Sequence, residues 1–136
     1  MLANRSIPAA TIIPELAYAD VPQAAAWLCE AFGFTERLRI GSHRVQLVLG
    51  GGAIVVIERG GDGGGGSAVM VRVEDADAHR ARAEAHGARI VRPPTDHPFG
   101  ERQYTAEDPA GHRWTFSQTI ADVAPEDWGG TSGTRA

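Results

Sequence analysis

A single cysteine, Cys29, is present among 136 residues, which excludes an internal disulfide and any zinc site built on thiolates. A reactive thiol needs a base nearby, and Trp27 and Leu28 supply none, so Cys29 is expected as a small buried hydrophobe. Basic charge is also short. Thirteen Lys and Arg against 17 Asp and Glu give a net charge of −4, which argues against nucleic acid or an anionic membrane as partner. No apolar run approaches the roughly 18 residues of a membrane span. Met1–Pro14 lacks the basic start and apolar stretch of a secretory signal, so the expectation is a cytoplasmic protein. The richest glycine stretch, residues 60–66, lacks the Gly-Lys-Ser/Thr of a phosphate-binding loop and is followed by a strand pattern, so it reads as a flexible linker.

What the chain does contain is an internal repeat. Ala31-Phe32-Gly33 and Ala85-His86-Gly87 each close a helical pattern, and a shift of 54 positions lays Ala17 on Val71, Glu30 on Glu84 and Gly33 on Gly87. Two copies of such a long period point to a duplicated unit rather than a solenoid, which needs at least about three. Each copy offers a strand, a helix and further strands: 12–18, a helix from Asp20 to about Ala31, 34–40, 44–49 and 53–58, then 67–73, a helix at 76–86, 88–92, 101–107 and 112–118. This divides one domain into module 1 at 10–59, a linker at 60–66, module 2 at 67–118 and a loosely ordered tail at 119–136.

Alternation along the strands separates two faces. Val69, Val71 and Val73 oppose Ala68, Met70 and Arg72; Val45, Leu47 and Leu49 oppose Arg44, Gln46 and Val48; Trp114 and Phe116 oppose Arg113, Thr115 and Ser117. The apolar set of each packs on the helices, and the mixed set faces either water or a cleft. Trp27 and Trp114 read as core, whereas Trp128, in a polar tail, needs a place to bury its ring. His79 and His86 sit among Arg80, Arg82 and Glu84 and are expected on a solvated helix face, His97 in a loop, and His43 and His112 in turns.

Tyr18-Ala19-Asp20-Val21 with Trp27 to Phe34, Val73-Glu74-Asp75-Ala76-Asp77 with His86-Gly87-Ala88, and Phe99 to Tyr104 with Asp108 to Phe116 together give the chain, over roughly residues 10–118, a resemblance to the vicinal oxygen chelate superfamily. That superfamily groups glyoxalase I, bleomycin-resistance proteins and extradiol dioxygenases. The resemblance implies an α+β fold of two tandem βαβββ modules forming an open, curved eight-stranded sheet around a cavity, commonly as a homodimer. It also locates the four metal-ligand positions of the metal-dependent members, which fall here at Pro14 (or Ile13), Val56, Ala68 (or Ser67) and Thr115. None of the four preferred positions carries imidazole, carboxylate or thiolate, so no metal and no cofactor is expected. A substitute set would draw on Glu15 and Glu58 with His43 or His112, although Glu15 is expected on the helix side.

The expected cavity lining is Leu16 and Tyr18, Arg44, Gln46 and Val48, Ile54 and Glu58, Met70 and Arg72, Gln103 and Thr105, and Thr115. Of these, Tyr18, Arg44, Gln46, Glu58, Met70, Arg72, Gln103, Thr105 and Thr115 are the candidate ligand-binding residues, a mixture of apolar wall and directed polar groups typical of a small-molecule site. Arg44 and Arg72 can clamp an anion or stack on a planar ring, or either can simply pair with Glu58. Two functions follow. One is a metal-free binding protein of the bleomycin-resistance type that sequesters a planar or amphiphilic small molecule. The other is an enzyme, either a metal-free lyase, isomerase or cyclase with Glu58 as general base or a glyoxalase-like or dioxygenase-like metalloenzyme with displaced ligands.

Overall fold

Each half of the chain builds one four-stranded sheet with one helix against it, as seen in a computed structural model that describes residues 4–59 and 67–130. The stretch 60–66 read as a linker and the last six residues of the tail lie outside the described residues. The first half runs β1 (Glu15–Tyr18), α1 (Val21–Phe32), β2 (Thr35–Ile40), β3 (Arg44–Leu49) and β4 (Gly52–Glu58). The second runs β5 (Ala68–Arg72), α2 (Ala76–Ala85), β6 (Arg89–His97), β7 (Glu101–Glu107) and β8 (Arg113–Thr119), with a 3-10 turn at Pro125–Trp128. The spatial orders β1-β4-β3-β2 and β5-β8-β7-β6 are the same, with β1 parallel to β4 and β5 parallel to β8. The duplication seen in the sequence is therefore a duplication of βαβββ topology. Its eight strands form two sheets of four, and β1 and β5 each pair along one edge only.

Both helices begin where side-chain chemistry favours it. Asp20 and Asp75 take extended backbone and accept hydrogen bonds from Gln23 N and Ala78 N at 3.0 Å, and Pro22 sits in the first turn, where its missing N–H costs nothing. α1 stops at Gly33, whose φ of 85° is the left-handed conformation of a helix terminator. The two helices then tie each other down. Arg82 of α2 donates to the carbonyls of Glu30 and Cys29 at the end of α1, and Trp27 of α1 donates its indole N–H to the His86 carbonyl at the end of α2. These are the unpaired carbonyls that every helix end leaves.

A single core spans both halves. Phe32 of α1 meets Trp114 and Phe116 of β8 edge-on, at ring-centre distances of 5.2 and 4.8 Å, and all three rings are essentially removed from solvent. Burying each such side chain contributes about 2 kcal/mol or more. His79, expected on a solvated face, instead turns inward: its ring lies 4.1 Å from that of Phe116 and its Nδ1 meets the Tyr104 hydroxyl. The polar neighbours in sequence were on other sides of α2 and concealed this position. β6 runs to His97 rather than ending near residue 92, with two irregularities in its pairing with β7. It is an edge strand, and Pro93 and Pro94 fall within the second irregularity, between Arg92 and Thr95, where the ladder is already interrupted. Cys29 is only partly buried rather than enclosed. The tail is held by Trp128, whose ring packs 5.2 Å from Phe99, itself stacked on His97.

Candidate functional site

Register decides which residues of module 1 face the open side of its sheet. Leu16 pairs with Val56 and Val56 with Val45, while Leu47 pairs with Ile54, so these residues share the helix side, where all are buried. Tyr18 and Glu58, also register partners, belong to that same side. The expectation that Leu16, Tyr18, Ile54 and Glu58 line a cavity together with Arg44 and Gln46 is therefore corrected. The open face carries Glu15, Ala17, Val55, Ile57, Arg44 and Gln46, and Glu15 lies there rather than on the helix side. The reason is legible in hindsight. Residues 53–57 of β4 are all apolar and carry no alternation, and the four residues of β1 are too few to set a phase.

The polar groups of this face are already occupied. Arg44 pairs with Glu15 at 2.9 Å, not with Glu58. Gln46 is 3 % exposed, accepts from Arg37 at 2.6 Å and donates to the Ser6 carbonyl at 2.8 Å, while Arg37 also holds the Arg5 carbonyl. The segment around residues 5–8 thus lies across the face, and Pro8 within it is buried. Glu58 is exposed, so the apolar enclosure that would suit it as a general base is not around it.

Module 2 keeps its open face free. Met70 pairs with Thr115, which pairs with Thr105; Arg72 pairs with Ser117, which pairs with Gln103. These residues form one surface in which Met70 is 64 % exposed. Its polar groups form a ladder: Gln103 donates to Ser117 Oγ at 3.0 Å, Ser117 donates to Glu101 at 2.6 Å, and the Thr105 and Thr115 hydroxyls lie 3.1 Å apart. The Ser117 and Thr119 hydroxyls hold the Glu101 carboxyl below its ordinary range, helped by the positive charge of Arg72. Of the nine candidate ligand-binding residues, the structure brings five together here: Met70, Arg72, Gln103, Thr105 and Thr115. Beside them a groove of about 1030 Å³ follows the free edge of β5, with Met70 and Arg72 on one wall and Ile12, Pro14, Phe34 and the β3–β4 hairpin on the other.

The donor set does not suit the superfamily's metal. Val56 is on the wrong face, its open-face neighbours Val55 and Ile57 are apolar, and Ala68 and Thr115 offer no ligand. Among the described residues no three of His, Cys, Asp and Glu come together in a way that could hold an ion. The substitute set is dispersed as well. Glu15 and Glu58 are on opposite faces, and His112 is buried, donating from Nε2 to the Ala17 carbonyl at 2.8 Å.

Sequence reasoning missed the buried centre beside His112. Asp108 Oδ2 accepts from the Tyr18 hydroxyl at 2.6 Å and the Trp114 indole at 3.1 Å, while Oδ1 accepts from the backbone of Ala110 and His112. Burial, with the Asp108 carboxylate second, pushes the Tyr18 hydroxyl far above its usual pKa, so it stays a proton donor. The Asp-Pro-Ala-Gly turn announced the two backbone bonds, but nothing local announced a tyrosine 90 residues away.

Against known proteins, residues 10–116 match the sequence profile of the Glyoxalase/Bleomycin resistance protein/Dioxygenase superfamily. The crystal structure of TioX from Micromonospora sp. ML1 is 39 % identical, with a TM-score of 0.71 over 80 % of this chain and 98 % of that one. TnmS3, an antibiotic binding protein from Streptomyces sp. CB03234, is 24 % identical, with a TM-score of 0.68 over 79 % and 93 %. A glyoxalase/bleomycin resistance protein/dioxygenase family enzyme from Burkholderia phytofirmans PsJN is 17 % identical, with a TM-score of 0.71 over 82 % and 100 %. No functionally curated protein matches the chain.

Proposed function

Because the chain belongs to the glyoxalase/bleomycin resistance protein/dioxygenase superfamily, we propose that it binds a planar or amphiphilic small molecule without a metal and sequesters it, in the manner of an antibiotic-resistance protein. The observation that carries this reading is the open face of module 2, where an exposed Met70 is framed by Arg72, Gln103 and two threonines beside a groove large enough for a drug-sized compound. A flexible thioether adapts to varied ring systems, and an arginine stacks on them or takes an acidic group. The same fold serves an antibiotic binding protein in TnmS3. The donor set of the open faces supports metal independence. The protein is proposed to work as a homodimer, in which a second copy lies along the free edges of β1 and β5 and encloses the groove.

The test combines elemental analysis of protein purified without chelator with a thermal-shift screen of planar amphiphilic compounds in chelating buffer. The expected result is no stoichiometric metal, together with hits recovered chemically unchanged after prolonged incubation. Met70→Glu and Arg72→Ala should each weaken those hits at least about tenfold, or 1.4 kcal/mol. A bound metal ion at unit stoichiometry, or conversion of the ligand, would move the protein to the enzyme class. Hits indifferent to both substitutions would remove the assigned face.

A further inference from the structure

A second, smaller cavity of about 300 Å³ lies at the seam between the modules, on the helix side of the sheets and away from both open faces. The end of β1 and the first turns of α1 supply one wall, with Trp27 and Ala24, and the β7–β8 turn supplies the other, with Pro109 and Ala110. Tyr18 and Leu28, both buried, line its inner part. The hydrogen-bonding groups of the wall are nearly all committed. The Trp27 indole N–H goes to the His86 carbonyl and the Tyr18 hydroxyl to Asp108, so both rings offer the cavity carbon rather than polar atoms. Asp20 Oδ1 caps α1 through Gln23 N.

The Gln23 amide and Arg59 are the exceptions, and only Arg59 carries charge. Its backbone N–H donates to the Tyr18 carbonyl at 2.9 Å, which fixes it at the cavity, but its guanidinium has no carboxylate within ion-pair distance among the described residues. It shares that with Arg5, Arg37, Arg72, Arg82, Arg92 and Arg113, but of these seven only Arg59 lines this cavity. Among the described residues the Nε of Arg59 is shut away from solvent without an acceptor, whereas neither Nη is both buried and unbonded, so the outer edge of the guanidinium is the part a ligand reaches. The two Nη groups, donating in parallel along that edge, match a carboxylate.

We propose that this seam cavity is a binding site for a small planar monocarboxylate, its acid group on Arg59 and its ring between Trp27 and Pro109. The volume, at the lower end of the roughly 300–1,000 Å³ of ligand sites, suits one ring rather than a large natural product. The single carboxylate in the lining, Asp20, disfavours a second negative charge on the ligand. An occupant would touch both modules and so brace them against each other.

Benzoate is the probe, with benzamide as its neutral counterpart, followed by backbone amide shifts in NMR and by tryptophan fluorescence. Benzoate should saturate, with shifts concentrated at residues 18–28, 59 and 109–110, and benzamide should bind at least about tenfold more weakly. Arg59→Gln should abolish the difference between the two probes while its melting temperature stays that of the parent, and Arg92→Gln, at an exposed arginine of β6 outside both sites, should leave benzoate binding unchanged. Absence of saturable binding up to about 20 mM benzoate, well beyond the millimolar range of weak specific sites, would overturn the proposal. So would equal affinity for both probes, undiminished binding by Arg59→Gln, or shifts centred on Met70 and Arg72.

Discussion

Four donors converge on the carboxylate of Asp108: two backbone amides of its own turn, the Tyr18 hydroxyl and the Trp114 indole. Asp108→Ala would strand the last two without an acceptor, at about 1–3 kcal/mol each, and should lower the unfolding free energy by about 3–5 kcal/mol in urea denaturation. Tyr18→Phe removes a donor without stranding a buried amide and should cost only about 1–2 kcal/mol. His79 makes a different prediction. Burial holds its imidazole below the ordinary 6.5, the backbone of Phe32 partly offsetting this and the nearby Arg82 charge adding to it. Below pH 6.5 the unfolded chain therefore binds a proton that the folded chain resists, so stability falls as pH falls through that value. His79→Leu should flatten this slope in urea midpoints measured between pH 6.5 and the range where Glu101 and the other carboxylates begin to protonate. An unchanged slope would show that His79 takes its proton without leaving the core.

At the scale of elements, the same signals that were readable in sequence also mark where the fold is most exposed to substitution. Asp20 and Gly33 announced helix ends and serve there, and the structure adds Asp75 as the cap of α2. Gly100, which the sequence offered only as part of the Phe99 to Tyr104 motif, anchors the tail. Its carbonyl accepts from Ile120 and Ala121, its φ is 85°, and a Cβ added there would stand 2.4 Å from the Ala121 carbonyl oxygen. Gly100→Ala should cost about 2 kcal/mol or more from backbone strain and displacement. Limited proteolysis should then cut between residues 119 and 130 under conditions where the parent resists. The strands show why some elements disclose their orientation and others do not. β5 alternates Ala68, Met70 and Arg72 with Val69 and Val71, and its exposed face could be assigned from that alone. β4 is apolar on both faces because the segment near residues 5–8 covers the side that alternation would have left polar, and Val55 is accordingly 3 % exposed. A strand buried on both sides carries no period to read.

For the whole molecule, two topologically equal modules present unequal open faces. Module 1 spends the polar groups of its open face on its own chain, Arg44 on Glu15 and Gln46 on Ser6, while module 2 leaves Met70 exposed and Arg72 without an ion pair among the described residues, the two residues proposed to meet the ligand. Sedimentation should give a particle of twice 14.4 kDa, and Met70→Lys, which sets a charge beside the proposed contact along β5, should shift it toward the monomer. A wild-type particle of 14.4 kDa would remove the dimer and leave the groove open to solvent along its length. By itself the sequence determined the tandem modules, the helix caps and the lack of metal donors at the superfamily's positions, because these depend on residue type and on neighbours a few positions apart. Tertiary structure alone decided that Glu15 and not Tyr18 faces outward, that His112 is buried and His79 half-buried against the core rings, and that Gln46 is covered. Those outcomes rest on strand register and on contacts between residues 25, 40 and 95 positions apart, which no local pattern encodes.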